Sequence, residues 1–315
     1  MSGNTAGRSV GFVGLGNMGG RMTRRLVLAG FHVTGYDLRP GQAESAGASS
    51  AVSLGDVCDG TSAVLLSLPD SRAVEAVVLG SRPSADGLIE FARPDQVLID
   101  LSTSAPSSTR RLYDLLAARG IGYLDAGISG GAAAAEKGTL TIMAGGSAAV
   151  LDSVRWVFEP IAAKVVLMGG SGAGHSTKLL NNFLNAVTLA ATAEVMVAAR
   201  AAGLDLAAVL DVINSSSGVS FASLNRFPHI IRGDYLEGGL TSNLMTKDVV
   251  AYVDHVRELG VPCLNAAGPL ASFGAAANLG YGEQISNRVV DAIGDLAGGI
   301  RLFDADGTSE IGDTS

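Results

Sequence analysis

The chain has 315 residues, 47% hydrophobic and 17% charged, with a formal net charge of −8. That acid excess argues against nucleic acid as a partner, because phosphate binding needs a basic face. No uninterrupted apolar run of membrane-spanning length is seen, and the polar start is not that of a signal peptide.

Cys58 and Cys263 match no metal or redox spacing and read as reduced thiols of a cytoplasmic protein. Val10-Gly11-Phe12-Val13 predicts a strand, followed at once by Gly14-Leu15-Gly16-Asn17-Met18-Gly19 and a helix over 21–29. The G-x-G-x-x-G spacing permits a tight turn and lets backbone N–H groups meet a pyrophosphate at the helix N-terminus. A second strand over 32–36 ends in Asp37, where a carboxylate would accept the adenine ribose hydroxyls. Strand, glycines, helix, strand and acid in order predict dinucleotide binding.

Strands over 63–68 and 97–101 alternate with helices over 71–79 and 106–119, which predicts a parallel sheet with right-handed crossovers. Leu68-Pro69 and Ser102-Thr103 then fall at the carboxyl ends of strands, where ligands of such sheets gather; Ser102 and Thr103 also suit a helix N-cap. Ser129-Gly130-Gly131 reads as a turn with uncovered N–H donors, a nest suited to a carboxylate. Strands over 140–144 and 164–167 follow, and Gly169-Gly170-Ser171-Gly172 marks a domain boundary.

Beyond it lies a helical stretch over 173–202, free of Pro and Gly from His175 on, which places Lys178 and Asn182 one turn apart on one face. Lys178 among amides on an apolar helix is either a snorkelling surface lysine or a functional one. Further helices are predicted over 205–213, 223–230, 245–259, 265–278 and 287–297. Lys247 then falls in a first helical turn, against the helix dipole.

Taken together, Gly14 to Gly19, Asp100-Leu101-Ser102-Thr103, Asp125 to Gly131, Gly138 to Met143, Gly172 to Asn182 and Lys247-Asp248 resemble the β-hydroxyacid dehydrogenase family, which includes 3-hydroxyisobutyrate dehydrogenases. The resemblance runs over about residues 8–297. It implies an α/β fold: an N-terminal Rossmann domain, 1–170, and an all-helical substrate and dimerisation domain, 171–298, joined by a long interdomain helix. An acidic tail without fixed structure, 299–315, would follow. It further implies an active site between the domains, with Lys178 as catalytic acid/base and Asn182 orienting a small carboxylic-acid substrate. Ser129, Gly130 and Gly131 would hold the substrate carboxylate. Lys247 would lie near substrate and nicotinamide, with Leu68, Pro69 and Thr103 also lining the cofactor beside Gly14, Leu15, Gly16, Asn17, Met18 and Asp37. The cofactor implied is NAD rather than NADP, and the assembly a homodimer or homotetramer. A free lysine, with a pKa of about 10.4, needs an enclosed site to act as a base near neutral pH.

Gly127 stands where the family usually has Pro, Leu240 where it has Phe, and Glu283 where it has Asp. These departures surround the substrate and predict an altered acid specificity. Two other functions fit the same fold: a non-catalytic dinucleotide-binding scaffold, and a reductase of another carbonyl or of an imine. Lys178 favours the hydroxy-acid dehydrogenase.

Overall fold

Four strands at the centre of an eight-stranded sheet are buried on both faces, and their side chains sort alternately onto two apolar layers. Val10, Phe12, Ala63, Leu65, Val97, Ile99, Leu124 and Ala126 face one layer, with Met22, Leu26 and Phe158. Val13, Val64, Leu66, Leu98 and Tyr123 face the other, with Val74, Val78 and Leu112. The strands are β1 (Ser9–Val13), β2 (His32–Tyr36), β3 (Ser49–Ser50), β4 (Ala63–Leu66), β5 (Val97–Asp100), β6 (Gly122–Ser129), β7 (Leu140–Gly145) and β8 (Ala162–Gly169). These elements come from a computed structural model that describes residues 8–81 and 86–303.

The order across the sheet is β3-β2-β1-β4-β5-β6-β7-β8. The chain runs outward from β1 in one direction, then crosses back and runs outward from β4 in the other. The carboxyl ends of β1 and β4 therefore form a topological switch point, the place where α/β sheets bind ligands. All described pairings are parallel except β6 with β7, which is antiparallel. The parallel sheet expected from the alternating strands and helices is present from β1 to β6, and β7 turns back against β6. A parallel return needs a crossover of a dozen or more residues, and the connection through the helix Gly131–Lys137 is shorter.

The chain divides into two compact units, Met1–Leu179 and Leu180–Ser315. The division falls inside the helix Ala173–Ala201, not at the glycine-rich segment before it. This helix has 29 residues and is about 43 Å long at the usual rise per residue. By length and composition it could cross a membrane, but Ala186, Leu189, Ala193 and Met196 along it are fully buried in the protein's own core. The second unit packs the remainder of that helix with Leu206–Asn214, Phe221–Asn225, Phe227–Ile230, Ser242–Glu258, Ala267–Ala276 and Val289–Leu296. Its core includes Leu189, Met196, Phe227, Met245, Phe273 and Val289.

Several local expectations change. The helix expected over 223–230 breaks at Arg226, because Pro228 lacks the N–H needed to continue it. The helix carrying Lys247 starts at Ser242, capped by Thr241, so Lys247 is its sixth residue and lies past the first turn. Ser102 and Thr103 do not cap the next helix; Ala105 occupies that position, ahead of Pro106. Of the expected tail, Leu302 is buried and Phe303 packs edge-on against Tyr235. Residues 304–315, like the polar start 1–7, lie outside the described residues.

Gly127 lies within β6, opposite Met143, and not in a turn. A Cβ there would stand 2.7 Å from the Cβ and 3.1 Å from the Cγ of Lys178. Its glycine therefore supplies space, letting the first turns of the long helix lie directly on the strand. Gly127→Ala is expected to cost about 1–3 kcal/mol through overpacking. Gly268→Ala, where an added Cβ meets nothing within 4 Å, is expected to cost nothing. Urea denaturation of the two variants checks this, and equal midpoints would contradict it.

Candidate active site

The glycine turn after β1 is built by close backbone approach. Gly14 has φ +88, and a Cβ there would overlap the Ser67 carbonyl oxygen and touch the Leu68 side chain. A Cβ on Gly19 would overlap the Gly14 carbonyl oxygen. Gly16 is the N-cap of the helix Asn17–Leu28 and brings no side chain to cap it. A helix start without a side-chain cap, reached through a turn that side chains would block, fits a dinucleotide's pyrophosphate. Asn17 packs its carbonyl groups against the Arg21 guanidinium, and Met18 lies on the core beneath.

Asp37 closes this turn from the end of β2. Its Oδ2 accepts the Leu15 N–H at 2.7 Å, and its Oδ1 accepts the Arg39 N–H at 2.9 Å and Nε–H at 3.2 Å. Burial works against the Asp37 charge, but these hydrogen bonds from Arg39 and Leu15 outweigh it and hold the carboxyl below its usual pKa. The carboxylate thus stays ionised, ready to accept from ribose hydroxyls. Arg39 also reaches past Gly16, with Nη2 3.4 Å from where a Cβ of that glycine would stand.

The loops after β4 and β5 are tied to each other. The Leu68 N–H donates to Ser102 Oγ at 2.9 Å, and the Ala105 N–H donates to Ser71 Oγ at 2.7 Å. Leu68, Pro69 and Thr103 therefore stand in adjoining loops beside the glycine turn. Asp100 at the end of β5 organises its own loop, accepting Ser102 N–H at 2.9 Å and Ser104 Oγ–H at 3.0 Å. Tyr123 donates its hydroxyl to the same carboxylate at 3.2 Å. Burial, then the charges of Asp100 and Asp125, push the Tyr123 phenol well above its usual pKa and keep it a donor.

Ser129 is the last residue of β6. Gly130, with φ +123, leads into the short helix that begins at Gly131. The expected turn is thus a strand-to-helix junction. Two residues upstream of Ser129, Gly127 meets the stem of Lys178. The base of Lys178 therefore stands over β6 two residues ahead of Ser129, in the unit that also carries the glycine turn.

The start of the long helix is pinned by groups whose roles sequence reasoning missed. Asp125, fully buried in β6, accepts the N–H of Gly172 at 2.8 Å through Oδ1 and of His175 at 2.9 Å through Oδ2. A Cβ at Gly145 or Gly174 would collide with this arrangement. His175 is itself fully buried, with Thr109 beside one ring nitrogen and Asp100 beside the other. Periodicity gives no sign of it. The signal was a histidine directly behind a glycine-rich break.

In the second unit, Asn182 is 4% exposed and donates Nδ2–H to Asp248 Oδ2 at 2.5 Å. Lys247 Nζ lies 3.1 Å from Asp248 Oδ1. The Asp248 carboxylate, 1% exposed, thus holds both predicted residues of this unit. It also decides the Asn182 amide, since a carboxylate takes the nitrogen side and leaves Oδ1 to accept. Phe183 stacks on Tyr252 with centroids 3.8 Å apart, packing the two helices that carry this group.

Residues 9–170 match the family described as the NAD binding domain of 6-phosphogluconate dehydrogenase. Residues 172–292 match the one described as the NAD-binding domain of NADP-dependent 3-hydroxyisobutyrate dehydrogenase. The chain is 36% identical over 252 residues to the NAD-dependent L-serine dehydrogenase of Pseudomonas aeruginosa, covering 77% of this chain and 83% of that one. It is 34% identical over 290 residues to the L-threonate dehydrogenase of Cupriavidus necator, covering 90% and 95%. A solved structure of Mycobacterium tuberculosis 3-hydroxyisobutyrate dehydrogenase with L-serine superposes with a TM-score of 0.82 at 28% identity, covering 92% of this chain and 99% of that one. The glycine turn, the Asp37 carboxylate and these matches converge: the chain belongs to the β-hydroxyacid dehydrogenase family, NAD-binding oxidoreductases that act on a CH–OH group.

Proposed function

We propose that the protein oxidises a small 3-hydroxy acid with NAD, with Lys178 as the acid/base. The observation that carries this reading is the stem of Lys178 lying on Gly127 of β6, two residues ahead of Ser129. The stem of the cation-bearing side chain thereby lies against the strand whose last residue is Ser129. Relatives named for L-serine, L-threonate and 3-hydroxyisobutyrate point to the same substrate chemistry, a carboxylate with a hydroxyl on a nearby carbon.

In this reading the backbone N–H groups at Ser129, Gly130 and Gly131 receive the substrate carboxylate. Lys178 Nζ takes the proton of the substrate hydroxyl, and in the reverse direction returns it. Asn182 bonds alcohol or carbonyl alike without a change of its own charge, its amide held by Asp248. Lys247, paired with the same carboxylate, contributes positive charge on the substrate and nicotinamide side. NAD, when bound, supplies the hydride acceptor. Asp37 sets its preference over NADP, since a 2′-phosphate would meet a charged carboxylate.

Lys178→Ala is expected to lower kcat by about 10²–10⁴ while NAD affinity, supplied by the glycine turn and Asp37, stays nearly unchanged. Lys178→Arg should fail as well, because arginine keeps its proton near neutral pH. Turnover and NAD titration of both variants check this; near-normal turnover of Lys178→Arg would contradict it.

We also propose a homodimer or homotetramer. Leu180, Leu184 and Val195 are exposed at helical spacing along the long helix, and Phe221 and Leu224 are exposed on the helix Phe221–Asn225. Sedimentation at micromolar concentration should give a species of at least twice 31.8 kDa. A single species at the monomer mass would rule this out.

A further inference from the structure

His175 is a fully buried titratable group that the chemistry above does not use. Its backbone N–H donates to Asp125 Oδ2 at 2.9 Å. Its Nε2 lies 3.2 Å from the Asp100 carbonyl oxygen, and its Nδ1 lies 2.7 Å from Thr109 Oγ1. A carbonyl oxygen can only accept, so Nε2 carries the proton. On the other ring nitrogen, Nδ1 meets Thr109 Oγ1, whose one hydrogen the Ala105 carbonyl oxygen at 3.2 Å can also accept.

The two ring bonds differ in what lies behind them. Thr109 belongs to the helix Pro106–Ala117, and its bond fixes packing. Asp100 leads elsewhere. Its carboxylate holds Ser102 N–H and Ser104 Oγ–H, and Ser102 Oγ in turn holds the Leu68 N–H. Those are the loops that carry Leu68, Pro69 and Thr103 beside the glycine turn. Lys178 follows His175 by three residues and stands on the same helical face.

We infer that His175 is a positioning residue for the acid/base: its Nε2–H bond to the Asp100 carbonyl sets the rotation of the helix turn bearing Lys178 against the cofactor-side loop of Leu68, Ser102 and Thr103. The inference rests on the reading of Lys178 as acid/base. Proton removal and hydride departure occur at one carbon–oxygen unit, so the groups serving them must keep a common register. A displacement of about 1 Å in such a register costs about 10²-fold in rate. An ordinary core histidine would contribute stability alone.

Two isosteric substitutions separate these cases. From the same backbone position a glutamine amide nitrogen reaches the place of Nε2, and an asparagine amide nitrogen the place of Nδ1. His175→Gln keeps the bond to Asp100, whereas His175→Asn and its loss of reach give that bond up. Thr109→Val removes the other ring bond and leaves the Asp100 bond in place. The assay is oxidation of L-serine, L-threonate or 3-hydroxyisobutyrate, whichever the wild type turns over fastest, with NAD affinity and Tm measured on the same samples. His175→Gln and Thr109→Val are expected to keep kcat within about threefold of wild type, and His175→Asn to lose about 10–100-fold in kcat. NAD affinity should stay within about threefold in all three. Equal kcat for the Gln and Asn variants, or a kcat that follows Tm across the set, would overturn the inference. A large kcat loss in Thr109→Val would do the same, even where the histidine variants fail to fold. Normal turnover in Lys178→Ala would instead overturn the acid/base reading beneath it, whatever the His175 variants do.

Discussion

A fully buried carboxylate at the head of the long helix is the constraint from which the rest of the site follows. Asp125 carries its charge within the sheet, a placement that costs several kcal/mol unless the charge is met by donors. The N–H groups of Gly172 and His175 meet it. They belong to a helix N-terminus, whose dipole favours a negative charge, and at that terminus they would otherwise lack partners. Each side therefore satisfies the other. Replacing either one would leave a buried charge or buried donors unpaired. The glycines at 127, 145 and 174 follow from the same close approach, because a Cβ would meet the Lys178 stem at the first, the Asp125 carboxylate at the second and strand backbone at the third.

One consequence is how the chain divides. The helix Ala173–Ala201 is continuous, but its first turns are bonded to the sheet and its remainder is buried in the helical core of the second unit. Lys178 falls just before the division and Asn182 just after it. Each is fixed by its own unit: Lys178 by the Gly127 strand, Asn182 by Asp248. On the cofactor side, Asp37 does a comparable job, holding the glycine turn through Leu15 while remaining ionised.

Much of this was legible in the sequence because it rested on local signals. The glycine turn, Asp37 and the buried runs of β1, β4 and β5 each have a residue-level signature of turn chemistry or apolar patterning. Lys178 and Asn182 stood out as polar residues on an apolar helix. What the sequence concealed was set by tertiary contacts. Gly127 read as a loosened turn because glycine and serine crowd that stretch, whereas ladder pairing with Met143 makes it strand. The antiparallel turn to β7 has no signature of its own. Lys247 read as a first-turn lysine because the cap at Thr241 precedes the apolar run by several residues. His175 and Asp248 draw much of their roles from partners distant in sequence, Thr109, Asp100 and Asp125 for the one and Asn182 for the other, and single-sequence patterns do not carry such pairings.

The most direct test of hydride transfer between a hydroxy acid and the cofactor is isotopic. The wild-type protein would be given NAD and L-serine, L-threonate or 3-hydroxyisobutyrate carrying deuterium at the hydroxyl-bearing carbon, and the reduced cofactor weighed by mass spectrometry. The expected result is one deuterium per reduced nicotinamide, formed in step with the oxidised product. Reduced cofactor without deuterium, or NAD binding with no turnover of any of the three acids, would contradict it.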